Sequence, residues 1–488
     1  MKLHTLLTGI VPSVTDLPDI EITRVTDRHE QIDGKTCFVL TRGVYKDKGY
    51  EIELARERRP AILICEEEAD VDFPMLRVEN ARQTLSYLLF RFYEIDLSHT
   101  RLIGVTGTNG KTTTATMLSD ILMWDGERVG MIGTGKIMLD KKDITPKGYT
   151  MTTPDPTSLY PILRDMIREK CHYVIMEVSS HALALSKVAP LPFYLSVFTG
   201  LGEDHMDFHK SREEYLAAKR QLLLQSHIAI VNADDDAAER MLGCAEESLA
   251  VGALYGRDAC ITDIEEGGID GITFLYRYGD ALQRFSLSMG GIHNVTNAAL
   301  AITAATRLGV RLCITKEAVE RVTVRGRMEK ILDTPIVIID YAHTPEAMKI
   351  VLKTARSNLN LGQKLYCLFG CGGERDRSKR HTMAGIAESY ADLCVVTEDN
   401  SRMEDPDAIF RDILSGFTSN RHLIIRDRER AIHYLVDLAT SEDVILLFGK
   451  GHETYLCRGT ETIDFDERKI VREAYKMKKE GHTKAYED

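Results

Sequence analysis

The densest chemistry in the chain lies in Gly104-Val105-Thr106-Gly107-Thr108-Asn109-Gly110-Lys111-Thr112-Thr113. An apolar run, 102–105, leads into it, and Leu118, Ile121 and Leu122 follow at helical spacing, so it reads as strand, glycine-rich turn, helix. Glycines let successive backbone N–H groups converge on phosphate oxygens, and the helix start adds partial positive charge. Lys111 can reach terminal phosphates and Thr112 can offer a hydroxyl to magnesium. Gly107, Thr108, Asn109, Gly110, Lys111, Thr112 and Thr113 are therefore the expected nucleoside-triphosphate site. The glycines fall as GxxGxxGKT, with Val105 where the common pattern has glycine, which marks a particular subtype of phosphate loop.

Other reactive side chains collect in short polar clusters. The first half carries Thr152-Thr153-Pro154-Asp155-Pro156, Glu177-Val178-Ser179-Ser180-His181, Asp204-His205 and Lys219. The second half carries Asp340-Tyr341-Ala342-His343-Thr344-Pro345, Gly370-Cys371-Gly372-Gly373-Glu374-Arg375-Asp376, Asp399-Asn400-Ser401-Arg402 and Gly449-Lys450-Gly451-His452-Glu453. Glu177 ends a run that reads as buried, where an unpaired carboxylate is costly and a metal or cation is the economical partner. Ser180 and His181 lack a GxSxG elbow, which argues against a serine hydrolase.

The elements that must position these clusters alternate. Strands are expected at 129–132, 173–178, 194–198 and 228–231 and helices at 159–169 and 212–225, giving a mostly parallel sheet covered on both faces. Ligands of such a sheet gather beyond the carboxyl ends of its strands, where the clusters fall. A second open sheet is expected from strands 336–340, 364–369, 393–397 and 444–448. Before both, residues 36–40, 61–65 and 75–78 read as short strands and 81–93 as a helix, with the polar stretch 94–100 as a boundary. The fold class is α/β in three domains: a small α/β unit at 1–98, a central phosphate-loop ATPase domain with a mostly parallel sheet at 99–332, and an open Rossmann-like domain at 333–488. The last dozen residues, charged and poor in aromatics, read as a frayed tail.

Bulk properties agree with a globular protein: 488 residues suit roughly three domains. A formal net charge of -12 argues against nucleic acid or an anionic membrane as main partner. No apolar stretch approaches the roughly 20 residues of a membrane span and no leader is visible, so a cytoplasmic location is expected. The ten cysteines include no CxxC pair and read as reduced, mostly buried thiols. Cys371, in a glycine-rich loop, is the one candidate for reactivity.

Taken together, GVTGTNGKTT, EVSSH, DHMDFH with a downstream YLAAK, GRME, DYAHTP, FGCGGERD and GKGHE follow the order and approximate spacing of the Mur ligases. The chain resembles that family strongly from about 101 to 472, and most of all its branch that adds the third residue of the peptidoglycan peptide. The resemblance implies that ATP drives attachment of meso-diaminopimelate, or of L-lysine in some members, to UDP-N-acetylmuramoyl-L-alanyl-D-glutamate through an acyl phosphate. It implies Thr112 and Glu177 as ligands of one magnesium ion and His205 with a carbamylated Lys219 at a second. A free ammonium would repel magnesium, whereas an N-carboxylated lysine is an anionic oxygen ligand suited to a hard cation. Lys111, Lys219 and His205 take catalytic roles on this basis. Asn294 and Asn297 are implied near adenine, Arg327 at nucleotide phosphate, and Asp340 and His343 in a nucleotide-contacting loop. Thr152, Thr153, Ser179 and Lys187 fall to the UDP-muramoyl dipeptide, and Arg375, Asp399, Asn400, Arg402, Gly449 and Glu453 to the diamino acid. Small-molecule substrates and a monomer are implied, with neither nucleic acid nor membrane as partner.

The sequence departs from the family pattern in places. Thr199-Gly200 precedes the DH motif where threonine-asparagine is usual, Lys187 replaces an arginine, Ser401 replaces the proline of DNPR, and Asp27-Arg28-His29 stands where DSR helps hold uridine. Ordinary alternatives remain at this stage: His205 as a structural histidine, Lys219 as a solvated helix lysine, and Arg402 as an exposed partner of Glu404 or Asp405. At the level of the whole chain, the alternatives are a lysine-adding ligase, a paralogue with another carboxylate substrate, and a phosphate-loop switch protein with little turnover.

Overall fold

The computed structural model describes residues 1–11, 15–41, 48–202, 204–206, 208–254 and 256–481. Three sheets carry the architecture, each opening where the sequence pattern shifts. The first has four parallel strands in the order Arg24–Thr26, Thr36–Val39, Ile62–Cys65 and Met75–Arg77. The helix Ala81–Phe92, capped by the Asn80 side chain on the Gln83 N–H at 2.9 Å, packs on it and against the following unit. Ser86 Oγ donates to Ser186 O at 2.8 Å, and Thr100 Oγ1 to Cys171 O at 2.8 Å, so the boundary segment is pinned at its far end.

The central sheet has eleven strands, with Arg101–Thr106 between Phe193–Phe198 and Tyr173–Glu177, all parallel. Leu102, Ile103 and Val105 are buried on both sheet faces, which is why this segment reads as a continuous apolar run. Register sets Val105 opposite Glu177, so the glutamate at the end of one strand lies beside the phosphate loop at the end of its neighbour. Parallel pairing continues through Ser226–Asn232, Glu247–Gly252 and Ala259–Glu266, then turns antiparallel at Ile272–Tyr278 and Ala281–Leu287. This extension and the hairpin Lys136–Leu139 with Lys142–Asp143 were not expected from the sequence. The helix Ile292–Arg307, with Ala298, Ala299, Ala301, Ala304 and Ala305 buried, lies close against the phosphate-loop helix Lys111–Trp124; its small side chains permit that approach.

The third sheet runs Glu329–Asp333, Ile336–Asp340, Val444–Phe448, Leu365–Phe369, Leu393–Val396, His422–Ile424, with only the first strand antiparallel. The expected strand limits agree to within a residue or so. Between this sheet and the central one lies a locked turn: Gly326 N donates to Glu329 Oε2 at 2.6 Å, and Tyr341 N to Gly326 O at 2.9 Å. Gly326 has φ +69°, and a Cβ there would stand 2.3 Å from the Gly451 carbonyl carbon, so both backbone conformation and space require glycine. The tail expectation is corrected in part: the helix Glu467–Lys479 reaches into the last dozen residues, and 482–488 lie outside the described residues. Its buried face, with Ile470, Val471 and Ala474, holds that end against the sheet.

Candidate active site

The phosphate loop has the geometry its residues predict. Gly107 adopts φ +153°, and a Cβ on it would fall 1.9 Å from Thr199 Oγ1, so the loop can close only on glycine. Gly110 is the left-handed residue at the start of the helix Lys111–Trp124. Lys111 Nζ donates to Gly107 O at 2.9 Å and Thr108 O at 2.8 Å, curled over its own loop. Burial lowers the Lys111 pKa, partly opposed by the charges of Glu177 and Asp204. Thr112 Oγ1 donates to Glu177 Oε2 at 2.9 Å, and Arg327 Nη2 reaches Thr112 Oγ1 at 3.5 Å.

Glu177 is fully buried and is held by hydroxyls and one backbone N–H, with Thr134 N at 3.1 Å and Thr134 Oγ1 at 3.0 Å. A carboxylate and a hydroxyl this close form a hard oxygen pair of the kind that holds magnesium, so Thr112 and Glu177 fit the ion the resemblance implies. Lys219 is buried, not solvated, which removes the surface alternative. Its Nζ donates to Gly107 O at 2.7 Å and stands 4.3 Å from the Tyr215 ring centroid. Burial, with Lys111 adding to it, pushes its pKa well below that of an ordinary lysine. His205 has φ +58°, packs edge-on against His181 at 4.7 Å, and lies 3.4 Å from Asp204. Among the described residues no group of three His, Cys, Asp or Glu side chains is arranged to hold a metal.

One cavity of about 450 Å³ joins this end to the loops of the third sheet. It is lined by Thr108 to Thr113, Thr152, Asp204, His205, Asn294, Asn297, Arg327, Asp340 and His343, and on the far side by Arg375, Asp399, Asn400, Arg402, Gly449 and Glu453. Asn294 and Asn297 are buried on the Ala-rich helix, and Asn297 Oδ1 lies 3.5 Å from Thr114 Oγ1. The Asp340 carboxylate is taken up by the turn, accepting from Met328 N at 2.8 Å and Ala342 N at 2.7 Å. Burial raises its pKa, with Arg327 opposing. Arg402 donates to Gly373 O at 2.8 Å and not to Glu404 or Asp405. Glu404 is claimed by Arg380 at 2.8 Å and Arg377 at 2.9 Å, which sets aside the exposed-pair alternative.

Thr153, Ser179 and Lys187 lie away from that cavity, in a neighbouring group. Thr153 Oγ1 donates to Glu177 O at 2.9 Å, Ser179 caps the short helix Ser180–Ala184, and Lys187 pairs with Asp155 at 2.7 Å. Ser180 meets His209 at 2.9 Å, both buried, which makes them a packed pair and not a hydrolase site. Cys371 lines the cavity, but burial pushes its thiol up to about 12, which disfavours the thiolate form.

Comparison with known proteins decides the family. Residues 105–305 match the Mur ligase middle domain and residues 326–451 the Mur ligase glutamate ligase domain. A UDP-N-acetylmuramoyl-L-alanyl-D-glutamate--2,6-diaminopimelate ligase of Caldanaerobacter subterraneus is 36% identical over 97% of this chain and 98% of its own length. The chain belongs to the Mur ligase family. A Bacillus cereus ligase of the same name is 35% identical over 97% of the chain and 98% of the relative. A solved structure bearing that name superposes with a TM-score of 0.71 at 27% identity, covering 98% of this chain and 100% of the other. The match therefore includes the first hundred residues, where the sequence motifs are thin.

As a Mur ligase, the chain is an ATP-dependent ligase. Several residues of this site were not singled out from the sequence. Thr134, on the turn after Val129–Gly133, orients Glu177, and Lys379 lines the cavity from the third sheet's side. Lys450 is buried against Glu453. The only signal for Lys450 was its place inside GKGHE. No helix among the described residues is long and apolar enough to cross a membrane.

Proposed function

We propose that this Mur ligase is a cytoplasmic enzyme of peptidoglycan precursor synthesis that joins meso-diaminopimelate to UDP-N-acetylmuramoyl-L-alanyl-D-glutamate at the expense of ATP. In this reading 1–98 holds the UDP end, 99–332 the nucleotide and 333–488 the diamino acid. The observation that carries it is the single cavity with the phosphate loop at one end and Arg375, Asn400, Arg402 and Glu453 at the other. Diaminopimelate differs from lysine by a second carboxylate, and the Arg402 guanidinium offers a planar fork that can make two charge-assisted hydrogen bonds to it. Glu453 suits an ammonium.

The D-glutamyl γ-carboxylate attacks the γ-phosphorus of ATP, the bond to the bridging oxygen breaks, and ADP leaves with an acyl phosphate formed. Lys111 and Arg327 hold the transferring charge, and magnesium, which Thr112 and Glu177 would hold, would supply neutralisation of phosphate charge. The amine then attacks the acyl carbon, phosphate leaves, and a proton departs as the amide forms. Lys219, sealed from water beside the phosphate loop with a backbone carbonyl as its hydrogen-bond acceptor, supports N-carboxylation as the route to an anionic ligand near His205.

The test is ADP formation with the UDP-linked dipeptide and either diaminopimelate, lysine or no amine. Turnover that depends on diaminopimelate is expected. Equal specificity constants for lysine would move the assignment to a lysine-adding enzyme, and ATP binding without amine-dependent turnover would overturn the ligase reading.

A further inference from the structure

Lys450 is a buried cation at the amino-acid end that the reading above does not use. Its side chain has 0% relative exposure. Nζ lies 2.7 Å from Glu453 Oε2, 2.8 Å from Asn400 Oδ1 and 3.8 Å from Asp399 Oδ1. Asn400 Nδ2 donates to the same Glu453 oxygen at 2.9 Å, while Asn400 Oδ1 also accepts from Cys457 N at 2.9 Å. The amide is thereby oriented: its oxygen faces the ammonium and its NH2 faces the carboxylate. Both bonds to Glu453 fall on Oε2, so the carboxylate is fixed through one oxygen and can offer the other to an incoming ammonium.

The backbone on either side of Lys450 is clamped. Arg428 Nη2, on a fully buried side chain paired with Glu467 at 2.8 Å, donates to Phe448 O at 2.6 Å. Arg468 Nη2 donates to Gly451 O at 2.8 Å. Sealing an ammonium from water is costly unless acceptors surround it, and here every acceptor named belongs to a residue at the amino-acid end. We propose that Lys450 is a positioning residue: a fixed internal ammonium that sets the orientation of Asn400 and Glu453 for the amine substrate. This inference rests on the amide-ligase reading.

The experiment uses full-length Lys450→Met and steady-state ADP formation, varying ATP, UDP-linked dipeptide and diaminopimelate in turn, with thermal unfolding alongside. The expected result is a KM for diaminopimelate at least tenfold above wild type while the KM values for ATP and dipeptide stay within twofold. An amine KM within twofold of wild type, or an ATP KM rising in step with it, overturns the proposal. If Lys450→Met does not fold, Lys450→Gln, which keeps a donor toward Asn400 without the charge, decides by the same limits. A wild-type enzyme with no amine-dependent turnover defeats the functional reading itself, and the inference with it.

Discussion

At the scale of single residues, charge placement decides what the site can select. Arg402 is turned inward by its bond to Gly373 O and faces the cavity, where the proposed function gives it a substrate carboxylate to meet. Arg402→Ala is expected to erase most of the preference for meso-diaminopimelate over L-lysine, roughly 2 kcal/mol in the ratio of specificity constants. Competition kinetics with both amines reads this directly, and a variant that discriminates as well as its parent would refute it. In the proposed reading Lys219 acts once it is carbamylated. Lys219→Ala is expected to lose ligation while its melting temperature stays near wild type, and short carboxylates in the assay should restore part of the rate by replacing the missing oxygen. Full activity without supplement would exclude the carbamate.

At the scale of elements, loops are held at strand ends by caps as much as by packing. Glu388, at the end of the helix Ser378–Tyr390, accepts from Thr418 N at 2.9 Å, Thr418 Oγ1 at 2.6 Å, Ser419 N at 2.8 Å and Ser419 Oγ at 2.6 Å. Burial would raise this carboxyl, but the donors of Ser419 and Thr418 outweigh it and hold the pKa down at about 2, below the ordinary 4.5. A depressed folded-state pKa stabilises above the unfolded value and is lost as pH falls through the folded one. Glu388→Gln is therefore expected to melt roughly 3 °C lower at neutral pH. The gap should close as pH drops from 4.5 toward 2, and a constant gap in thermal melts across that window would show that charge plays no part.

At the scale of the whole molecule, the two larger sheets meet through the turn at Gly326. Arg468 reaches from the last helix to Glu329 at 2.7 Å and to Gly451 O at 2.8 Å, so one buried guanidinium ties the turn to the loop that carries Lys450 and Glu453. Arg468→Met leaves Glu329 without this partner and is expected to cost about 3 kcal/mol in chemical denaturation. Arg468→Lys should recover only part, because a single ammonium cannot span both acceptors. Wild-type stability for Arg468→Met would show that the tie carries no load.

The sequence by itself determined the phosphate loop, the strand–helix alternation and the loops that hold reactive groups, because those follow from local periodicity and short motifs in which each residue's chemistry acts on its neighbours. Through resemblance it also suggested Thr112 and Glu177 for a magnesium ion and Arg402 for the diamino acid. The antiparallel extension from Ile272 to Leu287 was not read from the sequence, although its two strands are seven residues each and the first alternates buried and half-buried positions. Only the tertiary structure decided the burial of Lys219, the withdrawal of Arg402 from Glu404 and the meeting of Lys450 with Asn400, residues 50 apart in the chain. These depend on which segments the folded chain brings side by side and on which groups lose water there. Local sequence fixes a side chain's chemistry, but its protonation and partner are set by neighbours that arrive from elsewhere in the chain.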